Sequence, residues 1–169
     1  MERKPSELRL PTTTVPVRLA LVGHDPGGAE LFLNQAVARK SRTAVVEAVG
    51  ELVDEATAFL PVKGARDNVR LLSKRAIAWI AVNREQPSAD GDFDNLPSEV
   101  VTLYDRQHNV LVELTTGKII HGTLFDSAPA DRPRVIDHLN RVGRFLRVWT
   151  TDEHYLINKD HILAVVEQD

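Results

Sequence analysis

Cysteine is absent from the 169-residue chain. Disulfides, thiolate metal sites and cysteine nucleophiles are thereby excluded, and the absence agrees with a reducing compartment. Aromatic residues are scarce, at 5%, so any core must be packed from Val, Leu, Ile and Ala. No apolar run approaches the ~20 residues that a membrane-spanning helix needs. The opening stretch, MERKPSELRLPTTTVP, is charged and rich in Pro and Thr, with no apolar h-region. The expected address is the cytoplasm, with no membrane partner. An excess of one charge is missing too. The formal net charge is −3 and no basic stripe stands out, which disfavours a general nucleic-acid binder.

What is present is organisation. Residues 1–14 read as a flexible arm. Residues 83–98, NREQPSADGDFDNLPS, are acidic, carry Pro, Gly and Ser, and have no apolar period, so they read as a linker. The chain is thus divided into a first domain at 15–82 and a second at 99–169. The order VRL, ELVDEATAFLPV, LLSK, IAWIAV in the first half is matched by VTL, DHLNRVGRFLRV, LINK, ILAVVE in the second. Leu103 follows Leu19 by 84 positions, Phe145 follows Phe59 by 86 and Lys159 follows Lys74 by 85. A nearly constant offset over four elements is the signature of a tandem repeat.

The second half shows the plan most clearly. VVTLYD reads as a strand, and NVLVEL and IIHGTLF as strands around the Gly-containing turn TTGK. SAPADRP is a loop. RVIDHLNRV places Val135, Leu139 and Val142 at helical spacing, and Gly143 supplies the break at its end. FLRVWTT, HYLIN and ILAVVE complete the set. The first half repeats this with a longer helix, TAVVEAVGELVDEA. The expected fold is therefore mainly β with short helices (α+β), a tandem duplication of a small five-stranded barrel or bent sheet with one helix in each copy.

VLVELTTGKIIHGTLF, residues 110–125, resembles the first strands of Sm-like and other SH3-like small barrels. That resemblance implies a strongly bent sheet. The RNA-contacting residues of the Sm-like family have no counterpart here. RVIDHLN at 134–140, FLRV at 145–148 and INKDHI at 157–162 resemble a family of small bacterial β-barrel-like domains with no assigned activity. This second resemblance implies the fold and its duplication. Receptors of the PilZ type are not matched, because Arg3 and Arg9 stand at the wrong spacing and FDSAPAD lacks the required Gly.

Candidate residues fall into two groups. Asp137, Asn140 and Lys159 recur as Glu51, Asp54 and Lys74. Their expected role is structural: Asn140 caps the helix end or the next turn, and Lys159 pairs with Asp137 and pins helix to sheet. Phe59 and Phe145 are expected to be buried at the start of the strand after each helix. The second group is basic. Arg132, Arg134, Arg141, Arg144 and Arg147 crowd one region, a candidate binding surface. Five histidines of the second half, His108, His121, His138, His154 and His161, show no metal-ligand spacing. GHDPGGAE at 23–30 lacks the Lys-Ser/Thr of a phosphate loop and reads as a hairpin loop. There is no G-x-S-x-G. No catalytic residue, metal or cofactor is expected. The expected function is a non-catalytic interaction or adaptor module with a protein partner, homo-oligomer formation being compatible with it. Nucleic-acid or nucleotide binding is the alternative, and a metal-dependent enzyme the third.

Overall fold

The computed structural model describes residues 12–34, 42–83, 106–126, 135–141 and 143–168. The first half runs β1 (Thr12–Leu21), β2 (Gly27–Asn34), α1 (Arg42–Asp54), β3 (Phe59–Lys63), β4 (Val69–Ser73), a 3-10 turn (Lys74–Ala76) and β5 (Ile77–Asn83). The second runs β6 (Arg106–Leu114), β7 (Ile119–Asp126), α2 (Val135–Leu139), β8 (Phe145–Trp149), β9 (Glu153–Asn158), a 3-10 turn (Lys159–His161) and β10 (Ile162–Gln168). The chain is mainly β, as expected. Residues 100–105, read as a strand, and the loop 127–133 lie outside the described residues.

The elements form where local chemistry asks for them. In β1 the residues Val15, Val17 and Leu19 are buried while Pro16 and Arg18 between them face out, the period-two pattern of a strand with one face on a core. The segment GHDPGGAE joins β1 to β2 as a hairpin: its first residues, 23–26, make the connection, turned at Gly23 with φ +79°, and Gly27–Glu30 already belong to β2 and pair with β1. β1 itself begins at Thr12 and pairs with Asn34, so the strand reaches into the segment read as an arm. β6 and β7 join through TTGK, where Gly117 takes φ +92° and the Leu114 N–H bonds the Lys118 carbonyl. In α1 the buried residues Val45, Val46, Val49 and Val53 make one stripe.

The ten strands of the described residues lie in one antiparallel sheet, in the order β10-β6-β7-β8-β9-β5-β1-β2-β3-β4. Each half supplies five neighbouring strands, and within each half the pairing is the same: last strand, first, second, third, fourth. Pairing is brief where a helix intervenes. β2 and β3 share two register pairs, and β7 and β8 share one, Thr123 with Trp149. At the latter place Gly122 lets the strands approach closely, because a Cβ there would lie 2.6 Å from the Trp149 carbonyl oxygen.

The halves meet through β5 and β9, with Trp79 opposite Ile157, Ile80 opposite Leu156 and Ala81 opposite Tyr155. β5 is buried from Ile77 through Val82. Ile77, Ile80 and Val82 belong to one hydrophobic cluster, with α1, and Ala78, Trp79 and Ala81 to the other. Each cluster takes residues from both halves: Phe145 and Leu156 enter the first, and Ala20 enters the second. The two segments read as separate domains are thus fused along one strand pair.

Candidate interaction surface

The seam between the halves is held by polar groups as well as by the β5·β9 ladder. Asn158, at the end of β9, is fully buried. Its amide donates to the carbonyls of Lys74 (3.2 Å) and Ile77 (2.9 Å), and its oxygen accepts from the Asp160 N–H. A ring nitrogen of His161 lies 2.6 Å from the Arg75 carbonyl oxygen. From α1, Asp54 accepts the Phe145 N–H at 3.3 Å, and Glu47 holds Arg147 at 2.9 Å. The Arg147 guanidinium lies over Gly50, where a Cβ would come within 2.5 Å of it. The helix of the first half therefore packs on β8 of the second.

The two recurring lysines close helix ends. Lys74 is buried and donates to the carbonyls of Leu52 (3.2 Å) and Glu55 (3.0 Å) and to the Thr57 hydroxyl (3.0 Å). A cation at the carbonyl end of a helix satisfies groups that have no partner within it. Burial holds Lys74 below the usual lysine range, opposed by Glu55. Lys159 donates to the Arg141 carbonyl at 2.8 Å, just past α2. Burial lowers its pKa as well, and the carboxylate that opposes this is Asp54. Lys159 thus ties the helix end through a carbonyl and meets an acid of the opposite half. The Asn140 N–H bonds the Ile136 carbonyl, continuing the helix.

The phenylalanine expectation divides. Phe145 is buried, as expected, in the cluster formed with α1. Phe59 is 57% exposed, which corrects the expectation that both are covered. Along β3 the residues Leu60 and Val62 face the core and Phe59 faces out. Phe145 is covered by α1 of the other half, and no element of the described residues does the same for Phe59.

The arginine group is only partly assembled. Arg132 and Arg134 lie outside the described residues. Arg147 is bound to Glu47, and Arg141 supplies the carbonyl that Lys159 holds. Among the histidines, His154 is buried against Trp149 with ring centres 4.1 Å apart, and His108 faces His138 at 5.8 Å and Glu167 at 3.1 Å. Among the described residues no group of three or more His, Asp or Glu is placed to hold one metal ion, and no helix is long and apolar enough to cross a membrane.

What sequence reasoning missed is the pair of open edges. Among the described residues β4 and β10 each have one neighbour in the sheet. On β4, Val69 and Leu71 are 59% and 67% exposed, and on β10, Leu163 and Val166 are 68% and 48% exposed. Open edges with large apolar side chains are ready templates for another strand. A signal existed: ILAVVE is as continuously apolar as IAWIAV, a composition suited to a strand covered on both faces. Comparison with protein-family models, curated proteins and solved structures finds no match.

Proposed function

We propose that the chain is a non-catalytic interaction module built from two pseudo-equivalent β domains, whose free sheet edges take up partners by strand addition. The carrying observation is the exposure of Val69, Leu71, Leu163 and Val166 on the two strands that close the ten-stranded sheet. Support for pseudo-equivalence comes from the identical order and pairing of strands in each half. A docked strand supplies main-chain hydrogen bonds along the whole edge, and the apolar side chains add contact area. Nucleic-acid binding, the alternative, draws on Arg141, Arg144 and Arg147, of which Arg147 is already committed to Glu47.

The test is retrieval with purified bait. The native chain should capture specific protein partners, and Leu71→Asp, which puts a charge on the β4 edge, should lose those bound there while remaining folded. Retrieval of nothing beyond chaperones, or a partner set unchanged by Leu71→Asp combined with Leu163→Asp, would overturn the reading. Salt-sensitive binding of an oligonucleotide with an unchanged Leu71→Asp affinity would favour the arginine surface instead.

A further inference from the structure

The strand order carries more than the presence of edges. The joint between the halves is made by the last strand of one half, β5, and the fourth strand of the other, β9. The strands left at the two ends of the sheet are the fourth strand of the first half, β4, and the last strand of the second, β10. The two free edges are thus the same two kinds of strand that already pair inside the molecule. We propose that the β4 edge of one chain pairs antiparallel with the β10 edge of a second copy, with Leu71 opposite Val165, so that copies extend the sheet head to tail. This rests on the edges being docking surfaces and names their occupant.

The register follows from the 3-10 turns, which separate fourth and last strands in both halves and run Lys74–Ala76 and Lys159–His161. Ile77 and Ile162 follow those turns with nearly the same backbone angles, φ −80° and −81°. Aligned on the turns, the internal pair Ile80 with Leu156 becomes Val165 with Leu71, and Val82 with His154 becomes Glu167 with Val69. The side chains agree with this. Leu156, His154, Ala78 and Ala81 are buried at the internal seam, whereas their counterparts Leu71, Val69, Leu163 and Val166 carry the exposed apolar surface of the two edges. Arg70 and Glu167 would come to adjacent register positions with opposite charge.

The neighbouring elements repeat the complementarity. At the internal seam Phe145 is covered by α1 of the other half. Its counterpart Phe59 is exposed beside β4. Counted back from the strand that follows each helix, Gly50, which receives the β8 arginine, corresponds to Ile136 of α2, which is 54% exposed. A second copy seated on β4 would bring its α2 over Phe59 as α1 lies over Phe145. Three polar elements of the internal seam are not reproduced. His161, which meets the Arg75 carbonyl, corresponds to Ala76, and Arg147, which pairs with Glu47, corresponds to Pro61. The third, Asn158, which bonds two carbonyls across the seam, corresponds to Ser73, whose hydroxyl is too short for the same span. The joint between copies is therefore weaker than the joint within one, and assembly depends on concentration. The contact is heterologous, so it closes into a ring or continues as an open series.

The absence of cysteine makes the test clean. Leu71→Cys and Val165→Cys chains are mixed in equal amounts under mild oxidation. Directly opposed positions in an antiparallel pair have Cβ atoms about 4.5–5.5 Å apart, near disulfide distance, and a two-residue slip moves them to about 7–8 Å. The mixed disulfide should form roughly tenfold faster than either variant links to itself, and faster than Leu71→Cys links to Glu167→Cys, where that slip applies. In parallel, the mass by light scattering should rise above the 18.8 kDa of one chain as concentration increases, and Leu71→Asp should hold it at one chain with an unchanged circular dichroism spectrum. A native chain that stays at one copy at every concentration would overturn the inference. So would Leu71→Cys linking fastest to itself, which would mean β4 pairing with β4. If the native chain is monomeric yet captures unrelated proteins that Leu71→Asp loses, self-pairing fails and the edge reading stands.

Discussion

Lys74 and Lys159 occupy matched places, yet their surroundings differ enough to separate them by experiment. Lys74 is buried with three acceptors, and Lys159 is part-exposed with one. Lys74→Met should cost about 2–4 kcal/mol, because it strands buried carbonyls at the end of α1, and Lys159→Met about 0.5–1.5 kcal/mol. Urea unfolding of both variants checks this, and equal losses would contradict it. The phenylalanines divide in the same way. Phe145→Ala should cost about 3–5 kcal/mol, as for a large buried aromatic, while Phe59→Ala in dilute solution should cost under about 1 kcal/mol. The pair was legible as a repeat in the sequence, but burial was not, because it depends on which half lies against each strand. Tyr155 provides a pH prediction. Burial, reinforced by the Glu153 carboxylate, pushes its phenol above the usual 10.0. The folded chain then holds this proton after the unfolded chain has lost it. The associated stability is complete below pH 10.0 and is lost as pH rises through the folded value. Absorbance titration in a Tyr104→Phe background should show phenolate appearing above 10.0 in the folded chain, and a normal midpoint would contradict it.

The strands and both helices were largely readable because each rests on local grammar. Alternation of buried and exposed residues marks β1, a Gly turn marks the β6 to β7 hairpin, and a valine stripe marks α1. What local grammar does not encode is how one strand passes its neighbour. Gly122 is an example. In sequence it is a glycine within IIHGTLF, and only the fold shows that Val148 Cγ1 would lie 2.4 Å, and the Trp149 carbonyl oxygen 2.6 Å, from an added Cβ. Gly122→Ala should therefore cost about 1–3 kcal/mol by forcing β7 and β8 apart. Thermal unfolding provides the measurement, and an unchanged midpoint would show that the strands can shift freely there. The Lys159 surroundings that the sequence did not reveal have the same origin. Asp54, the acid that opposes Lys159, is more than 100 residues away in the chain and reaches it only through the seam.

At the scale of the whole molecule, the described residues form a single ten-stranded sheet whose two halves join through β5 and β9 and whose end strands, β4 and β10, each have one neighbour among those residues. The like order of strands in the two halves agrees with the offsets read from the sequence, but the joining of the halves was not legible, since a repeated pattern does not say which edges meet. The continuous apolar run IAWIAV has the composition of a strand covered on both faces, and it is buried in the seam. The equally apolar ILAVVE has that composition too and stands at an edge of the sheet among the described residues. That contrast is the centre of the account: β10 and β4 have the composition of paired strands without the partner. Hydrogen exchange of the backbone amides at low and high protein concentration tests it most directly. The account predicts that outward-facing amides of β4 and β10 exchange quickly in dilute solution and gain protection together as concentration rises, while those of β5 and β9 stay protected throughout. Exchange in β4 and β10 that is slow when dilute, or indifferent to concentration, would contradict it.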